Sequence, residues 1–424
     1  MKLQVRVGIA AALLAVLVTG LGRAETSTGE WLAGDLHVHT CYSHDTYCAP
    51  QAFCPADPDA GCPTEDYNTE PPEAYTHGGP MRERFAEAAA RQLDYLAITD
   101  HHNDGEPAES GTRGWSDPGF GSFGVIGVHG YENSISGHAQ MLGAKRVYAL
   151  NEFGGDVNAM ADALRADGGV FQANHPAPGL IGEFACDQPE NLNWEYGYDV
   201  RLDTIEVWNE PYVMQPPFPS GSSNEDSVRY WECWLQRGAH VGATGGSDSH
   251  WMSTVPVQGI GNPTTWVFAP ERSEHGVLAG LREGRTSIAF HPPIVGGPRL
   301  ILEADVDGDG AYESMIGDTV PPGTAMRVRA DGLTFTGLVE VRAGTVGVDI
   351  ATIVDGTLLA PAGAVSFSAP SLQAQQRGWV RAALYLPDAQ QERRENCSSI
   401  RPDNTSYCRN KILLEALTSP IYTG

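Results

Sequence analysis

The residues with the most chemical potential open the stretch Gly34-Asp35-Leu36-His37-Val38-His39-Thr40. In a β-strand, residues i and i+2 point to the same face, so His37 and His39 can reach one metal ion from one strand end. Alone the pair is ambiguous. A polar contact is the commoner reason for such a pair, although His is also the commonest metal ligand. The rest of the chain shifts the balance, because further apolar runs end in the same residue types. Tyr95-Leu96-Ala97-Ile98-Thr99 runs into Asp100-His101-His102, and Val125-Ile126-Gly127-Val128 leads to His129 and Glu132. Another run opens with Gly137-His138-Ala139-Gln140, and Val170-Phe171-Gln172-Ala173 ends in Asn174-His175-Pro176. A sixth carries Glu206 and ends at Asn209, and the seventh ends in Gly245-Gly246-Ser247-Asp248-Ser249-His250. Nitrogen and carboxylate donors without thiolate suit Zn²⁺, Mn²⁺ or Fe²⁺. Close-set ions of this kind lower the pKa of a shared water and give hydroxide near neutral pH. The chemistry expected is metal-assisted hydrolysis, with Asp248 or a pocket histidine handling the leaving-group proton.

Positioning these residues requires a regular scaffold. Candidate strands cover 34–38, 94–99, 124–130, 138–143, 169–173, 203–207 and 240–245, and amphipathic helices cover 80–92, 155–167 and 222–237. Strands alternating with helices imply an α/β fold with a largely parallel sheet or barrel. Seven strands come close to a closed barrel, and in such folds chemistry gathers at the C-terminal strand ends.

The order of motifs from Asp35 to His250 resembles the PHP superfamily, the polymerase and histidinol phosphatase group of metal-dependent hydrolases. Carrying the resemblance are Asp35-Leu36-His37-Val38-His39-Thr40, Ile98-Thr99-Asp100-His101, and Tyr131-Glu132 followed by Gly137-His138. Asn174-His175-Pro176 and Ser247-Asp248-Ser249-His250 complete it. Within that group the chain looks like the CehA/McbA-type branch, through Ile205-Glu206-Val207-Trp208-Asn209, Gly284-Arg285-Thr286-Ser287 and Ser419-Pro420-Ile421-Tyr422. The resemblance implies a distorted seven-stranded β/α barrel holding two or three divalent ions. Its ligands would be His37, His39, His101, Glu132, His138, His175, Asp248 and His250, with Glu132 bridging two ions. Members often place Asp or His shortly after the first pair. Here His44 and Asp45 are adjacent, and Asp45 is preferred because only one of the two can point inward from an extended segment. Asp248, His250 and Glu132 are the expected catalytic groups.

The substrate is read less sharply. A phosphate ester follows from the superfamily resemblance, and a carboxylic or carbamic ester from the branch resemblance. A catalytically inactive metal-binding protein is the third reading, and the complete ligand set argues against it. A phosphatase would place Arg near the ions, with Arg201 and Arg229 as candidates. His102 is expected to line the pocket and His129 to support Glu132 from behind. Glu206 reads equally as an ordinary strand residue, and His77, His240, His275 and His291 read as structural.

The chain has 424 residues and a formal charge of −26. Lys2 and Arg6 precede an apolar run from Val7 to Leu21, and Gly22-Arg23-Ala24 ends it. This predicts a secretory signal over 1–24 with a mature chain from Glu25, the run being shorter than the ~20 residues a membrane span needs. Eight cysteines, an even number, fit an exported, disulfide-bearing protein, periplasmic or secreted. Cys41, Cys48, Cys54 and Cys62 crowd one loop, and Cys397 with Cys408 would close another. The segment 46–79 is expected to be an insertion near the site mouth. Cleavage would take away three positive charges and leave −29. Such a surface repels nucleic acid and anionic membrane alike, which leaves a small-molecule ester as the expected substrate. No protein partner can be inferred.

Past Pro293 the alternation stops. Short strand patterns separated by Gly and Pro predict an all-β, sandwich-like domain over 293–424, behind a metallohydrolase barrel over 25–292. Within it, Asp305-Val306-Asp307-Gly308-Asp309-Gly310 spaces carboxylates as a calcium loop does. Ile316 stands where an EF-hand would need Glu, so bound Ca²⁺ and a plain acidic turn are equal readings.

Overall fold

The structure is a computed structural model that describes residues 29–44, 46, 75–76, 79–103, 106–107, 110–177, 186–187, 192–209, 224–253, 259–347, 351–368, 377–385 and 414–424. The expected signal, Asp45, His77, most of the segment 46–79, and Cys397 and Cys408 lie outside these residues.

The architecture is mixed α/β, with few helices and many strands. In chain order the first elements are β1 (Glu30–Asp35), α1 (Met81–Ala90), β2 (Tyr95–Ile98), β3 (His101–Asn103), β4 (Ile126–His129), β5 (Glu132–Ile135) and β6 (Gly137–Leu142). They are followed by α2 (Val157–Ala166), β7 (Val170–Ala173), β8 (Thr204–Asn209), α3 (Asn224–Gln236), β9 (Gly242–Gly246), β10 (Thr264–Ala269), α4 (Glu274–Arg282) and β11 (Thr286–Ala289). Local chemistry accounts for the helix starts. Asp156 caps α2 by accepting from the amides of Asn158 and Ala159 at 2.9 and 3.1 Å, and Ser273 caps α4 through Gly276 at 3.0 Å. Each helix buries one stripe: Met81, Phe85 and Ala88 on α1, and Val157, Met160, Ala161 and Leu164 on α2.

Two sheets carry the first part of the chain. One contains β10, β1, β2 and β4 in that order, and the other runs β9, β8, β7, β6, β5, β3. The sheets exchange strands at the level of the histidines. β2 passes through Thr99 and Asp100 into β3, and β4 passes through Gly130 and Tyr131 into β5. On the far side, a parallel bridge joins Val38 beyond β1 to Ser249 beyond β9. The strand ends therefore meet around one space. The pairing is not as uniformly parallel as expected. β6 is antiparallel to both β5 and β7, because only the single residue Ser136 separates β5 from β6 and leaves no room for a crossover.

The remaining strands are β12 (Arg299–Asp305), β13 (Ala325–Asp331), β14 (Gly337–Thr345), β15 (Ala351–Leu359), β16 (Ala364–Ser368), β17 (Gly378–Tyr385), β18 (Leu414–Thr418) and β19 (Ile421–Thr423). β12, β13 and β16 form an antiparallel sheet with the short strand Ser314–Met315. It faces β14 and β17, and Leu300, Leu302, Val328, Val341 and Leu384 are buried between them. β18 pairs with β11 as well as with β17, so strands from both sides of Pro293 belong to one continuous sheet.

Disulfide-bonded Cys186 and Cys233 join the segment after β7 to α3, and Cys41 is also disulfide-bonded. Among the described residues no helix is long and apolar enough to cross a membrane.

Candidate metal centre

His37 and His39 lie just beyond β1 and are fully buried, and Glu132 opens β5 and is 1% exposed. His37 Nε2 lies 3.2 Å from Glu132 Oε2 and 3.1 Å from Asp248 Oδ1. His39 Nε2 lies 3.5 and 3.0 Å from the same two oxygens. His101 Nδ1 is 3.3 Å from Glu132 Oε2, while His138 Nδ1 and His175 Nε2 are 3.1 and 3.3 Å from Oε1. The His250 ring stacks on His39 at 4.0 Å, and its Nδ1 bonds to the Asp248 carbonyl at 2.8 Å. Eight residues from six separate segments thus gather around one space, and five of the histidines approach the Glu132 carboxylate. Their donor atoms fall into overlapping sets: His39, His101 and His250; His37, His39, Glu132 and Asp248; Glu132, His138 and His175. Within each set all donors lie within 4.8 Å of one another, so each could hold a metal ion. Glu132 belongs to two of the sets.

The donor set fits a cation better than a hydrogen-bond network. His37 Nε2, His138 Nδ1 and Glu132 Oε2 are buried, and none makes a hydrogen bond despite these short approaches. Buried polar atoms left so are costly, and separate cations held in the two sets that share Glu132 would satisfy them. The outer contacts aim the donors inward. His37 Nδ1 lies 2.9 Å from Glu206 Oε1, so Nδ1 donates and the Nε2 lone pair faces the cluster. His250 Nδ1 donates to a carbonyl, which likewise leaves the lone pair on Nε2. Asn174 Nδ2 donates to Glu132 Oε1 at 2.7 Å, and Asn209 Nδ2 donates to both Glu206 and Asp248 at 3.1 and 3.2 Å.

Electrostatics show how tightly these charges are matched. Burial pushes the Glu132 carboxyl up, but His37, His101 and His138 outweigh it and hold it well below the usual range. Asp248 is also held low against burial, by His37, His39 and His250. Burial lowers His175, yet Glu132, Asp248 and Glu206 lift it to about 9, and His37 is raised for the same kind of reason. Backbone strain gathers here too. His175 and Asp248 adopt positive φ, 26° and 48°, a region costly for residues other than Gly. Gly246 admits the cluster by its size, since a Cβ there would lie 2.4 Å from His37 Cβ and 2.6 Å from Glu206 Oε1.

No protein-family model matches this chain, and no curated protein matches it. One solved structure similar to it is a two-domain protein from Bacteroides vulgatus ATCC 8482, described as containing a predicted PHP-like metal-dependent phosphoesterase. The identity is 14%, the match covers 84% of this chain and 91% of that one, and the TM-score is 0.37.

Other residues singled out from the sequence take varied places. His44 pairs with Glu106 at 3.2 Å and stacks on His101 at 5.1 Å, outside the donor sets. His102 is buried edge-on to Tyr131. His129 turns away from Glu132, bonds to Glu274 at 3.0 Å and stacks on Phe120. Arg201 is on the surface paired with Asp162, and Arg229 is exposed on α3. His240 stacks on Tyr422 and His291 packs against Phe290, whereas His275 is exposed. Glu206 is the functional residue that sequence reasoning undervalued. The signal was a carboxylate between Ile205 and Val207, which must point to the opposite face from both. In the C-terminal part, Asp305, Asp307, Asp309 and Glu313 form a further set that could hold an ion.

Proposed function

We propose that this chain is an exported metal-dependent hydrolase of the PHP type, CehA/McbA-like, acting on phosphate esters. Its frame is a distorted seven-stranded β/α barrel made of the strands that meet around Glu132, followed by a sandwich-like β domain. The observation that carries the reading is that buried, hydrogen-bond-free nitrogens of His37 and His138 approach the two oxygens of the buried Glu132 carboxylate. His37, His39, His101, Glu132, His138, His175, Asp248 and His250 would hold two or three divalent ions, Zn, Mn or Fe. Such ions supply Lewis acidity and a water of lowered pKa.

The protein's own groups do the rest. Glu132 spreads one negative charge over two oxygens that face different histidines, and would offset the repulsion between neighbouring cations held there. Glu206 and Asn209 fix the rotamers of His37 and Asp248. His250, 21% exposed, and Asp248, 16% exposed, stand on the open side, where the Asp248 carboxylate can take a proton from the attacking water and pass it to the departing oxygen. His138 and His175 are the other partly open ligands, so substrate enters across these four side chains.

Hydrolysis of a carboxylic or carbamic ester is the second reading, since the same groups can stabilise either oxyanion. Elemental analysis of the purified chain, followed by chromogenic phosphomonoesters, phosphodiesters and aryl esters, separates the readings. Phosphomonoester turnover that is lost on chelation and restored by metal is expected. Absence of bound metal after loading would overturn the proposal.

A further inference from the structure

Beside His101 lies a second cavity, of about 240 Å³, lined by Tyr42, His44, His101, Glu106, Pro107, Ser110 and Arg113. It opens onto a metal-centre candidate on one side and onto a guanidinium on the other. Arg113 is half-buried. Among the described residues its side chain makes no hydrogen bond or ion pair; its carbonyl is engaged by Ser116 Oγ at 3.4 Å. That is unusual in a chain with 53 acidic residues against 27 basic ones. Elsewhere the partly buried arginines meet carboxylates, as Arg165 meets Asp203 and Arg327 meets Glu303.

Glu106, the acid among the described residues lining the cavity, is already engaged. Glu106 Oε1 takes His44 Nδ1 at 3.2 Å and Asn103 Nδ2 at 3.0 Å, and Oε2 takes the Asn103 amide at 3.2 Å. Nor does Arg113 sit on a loose loop. The turn it begins, Arg113–Ser116, is pinned by Trp115 Nε1 donating to the Gly130 carbonyl at 3.0 Å and by buried Gly114, packed close to Met81 and Tyr42. A half-buried guanidinium at a cavity, on a pinned turn and with no carboxylate partner among the described residues, is a recognition group suited to an anion. Its planar fork matches two oxygens of one oxyanion.

We infer that this cavity is an anion subsite, in which Arg113 binds an oxyanion of the substrate while the ester bond lies over the histidine–carboxylate cluster. The inference rests on the hydrolase reading for its place in catalysis, but the anion affinity stands apart from it. Phosphoryl and carboxylate groups share the required chemistry, and titration separates them.

The test is calorimetric titration of the full, metal-loaded chain with inorganic phosphate and, separately, with acetate. Arg113→Gln should weaken binding about 10–100-fold, the range expected for a hydrogen bond to a charged group. Arg113→Lys should recover part of the loss, because it restores the charge without the fork. Tighter binding of phosphate assigns a phosphoryl group, and tighter binding of acetate a carboxylate. Melting temperature and metal content should not change in either variant. Unaltered anion affinity in Arg113→Gln, or no anion binding by the wild type, overturns the subsite. Arg113-dependent phosphate binding by a protein that takes up no metal would instead defeat the hydrolase reading and leave the subsite standing.

Discussion

At the scale of the residue, Glu132 is the group on which the site depends. Five histidines approach its two oxygens within 3.5 Å. Glu132→Ala should remove bound metal and reduce hydrolysis to background while circular dichroism stays native, since the strands around it pair through backbone. Full activity and metal content in that variant would end the proposal. Glu206 acts one step further out. Glu206→Gln keeps the shape but loses the charge that orients His37, so metal affinity should fall about 10–100-fold, as loss of such outer partners does. Competitive chelator titration measures it, and wild-type affinity would show that Glu206 is only a strand residue. His275→Ala is the control: the side chain is 78% exposed on α4, and neither stability nor metal content should move measurably.

At the scale of the element, β18 is the decisive strand. It covers one edge of β11 and one edge of β17, and it buries Leu414, Ala416 and Leu417. Deleting 414–424 would leave two unpaired edges and expose that apolar face, so the truncated chain should aggregate on expression. A monomeric truncated chain with native metal content would refute this. The Cys186–Cys233 cross-link closes a separation of 47 residues. Replacing both cysteines by Ala should cost ~2–4 kcal/mol in chemical denaturation, chiefly by freeing the unfolded chain. No change would mean that the segment is held by packing alone.

The whole molecule couples charge to pH. In metal-free protein, His175 is lowered by burial but lifted from 6.5 to about 9 by Glu132, Asp248 and Glu206, and His37 is raised as well. A folded-state pKa above the unfolded one gives stability that is complete below about 6.5 and lost as pH rises through about 9. Glu132 and Asp248, held below their ordinary values of 4.5 and 3.8, contribute above those values and lose their contribution as pH falls further. The chelator-treated chain should therefore melt highest at roughly pH 5–6.5 and progressively lower toward pH 9. Metal replaces the protons on the histidines, so the loaded chain should keep its melting temperature over the same rise. A metal-free melting temperature that climbs between pH 6.5 and 9 would contradict the charge balance described above.

Much of this was legible in one dimension because the relevant rules are local. Short apolar runs located β2 and β7, and period-3.6 patterns located α2 and α3, to within a few residues. The two-residue spacing of His37 and His39 put both on one face, and the donor types at successive strand ends pointed to a metal centre. Spatial relations were not legible. Nothing local says that β6 runs against its neighbours, that β18 crosses back to pair with β11, or that Cys186 meets Cys233. Each of these depends on which distant surfaces pack, and that is set by the summed burial of the whole chain. The same holds for Glu206 and Arg113. In sequence they are one acid between apolar residues and one base in a loop. Only the fold sets the first 2.9 Å from His37, and places the second in the cavity beside His101 with no ion-pair partner among the described residues. Residue type and spacing determined which atoms could bind a metal, and tertiary structure decided which of them share one space.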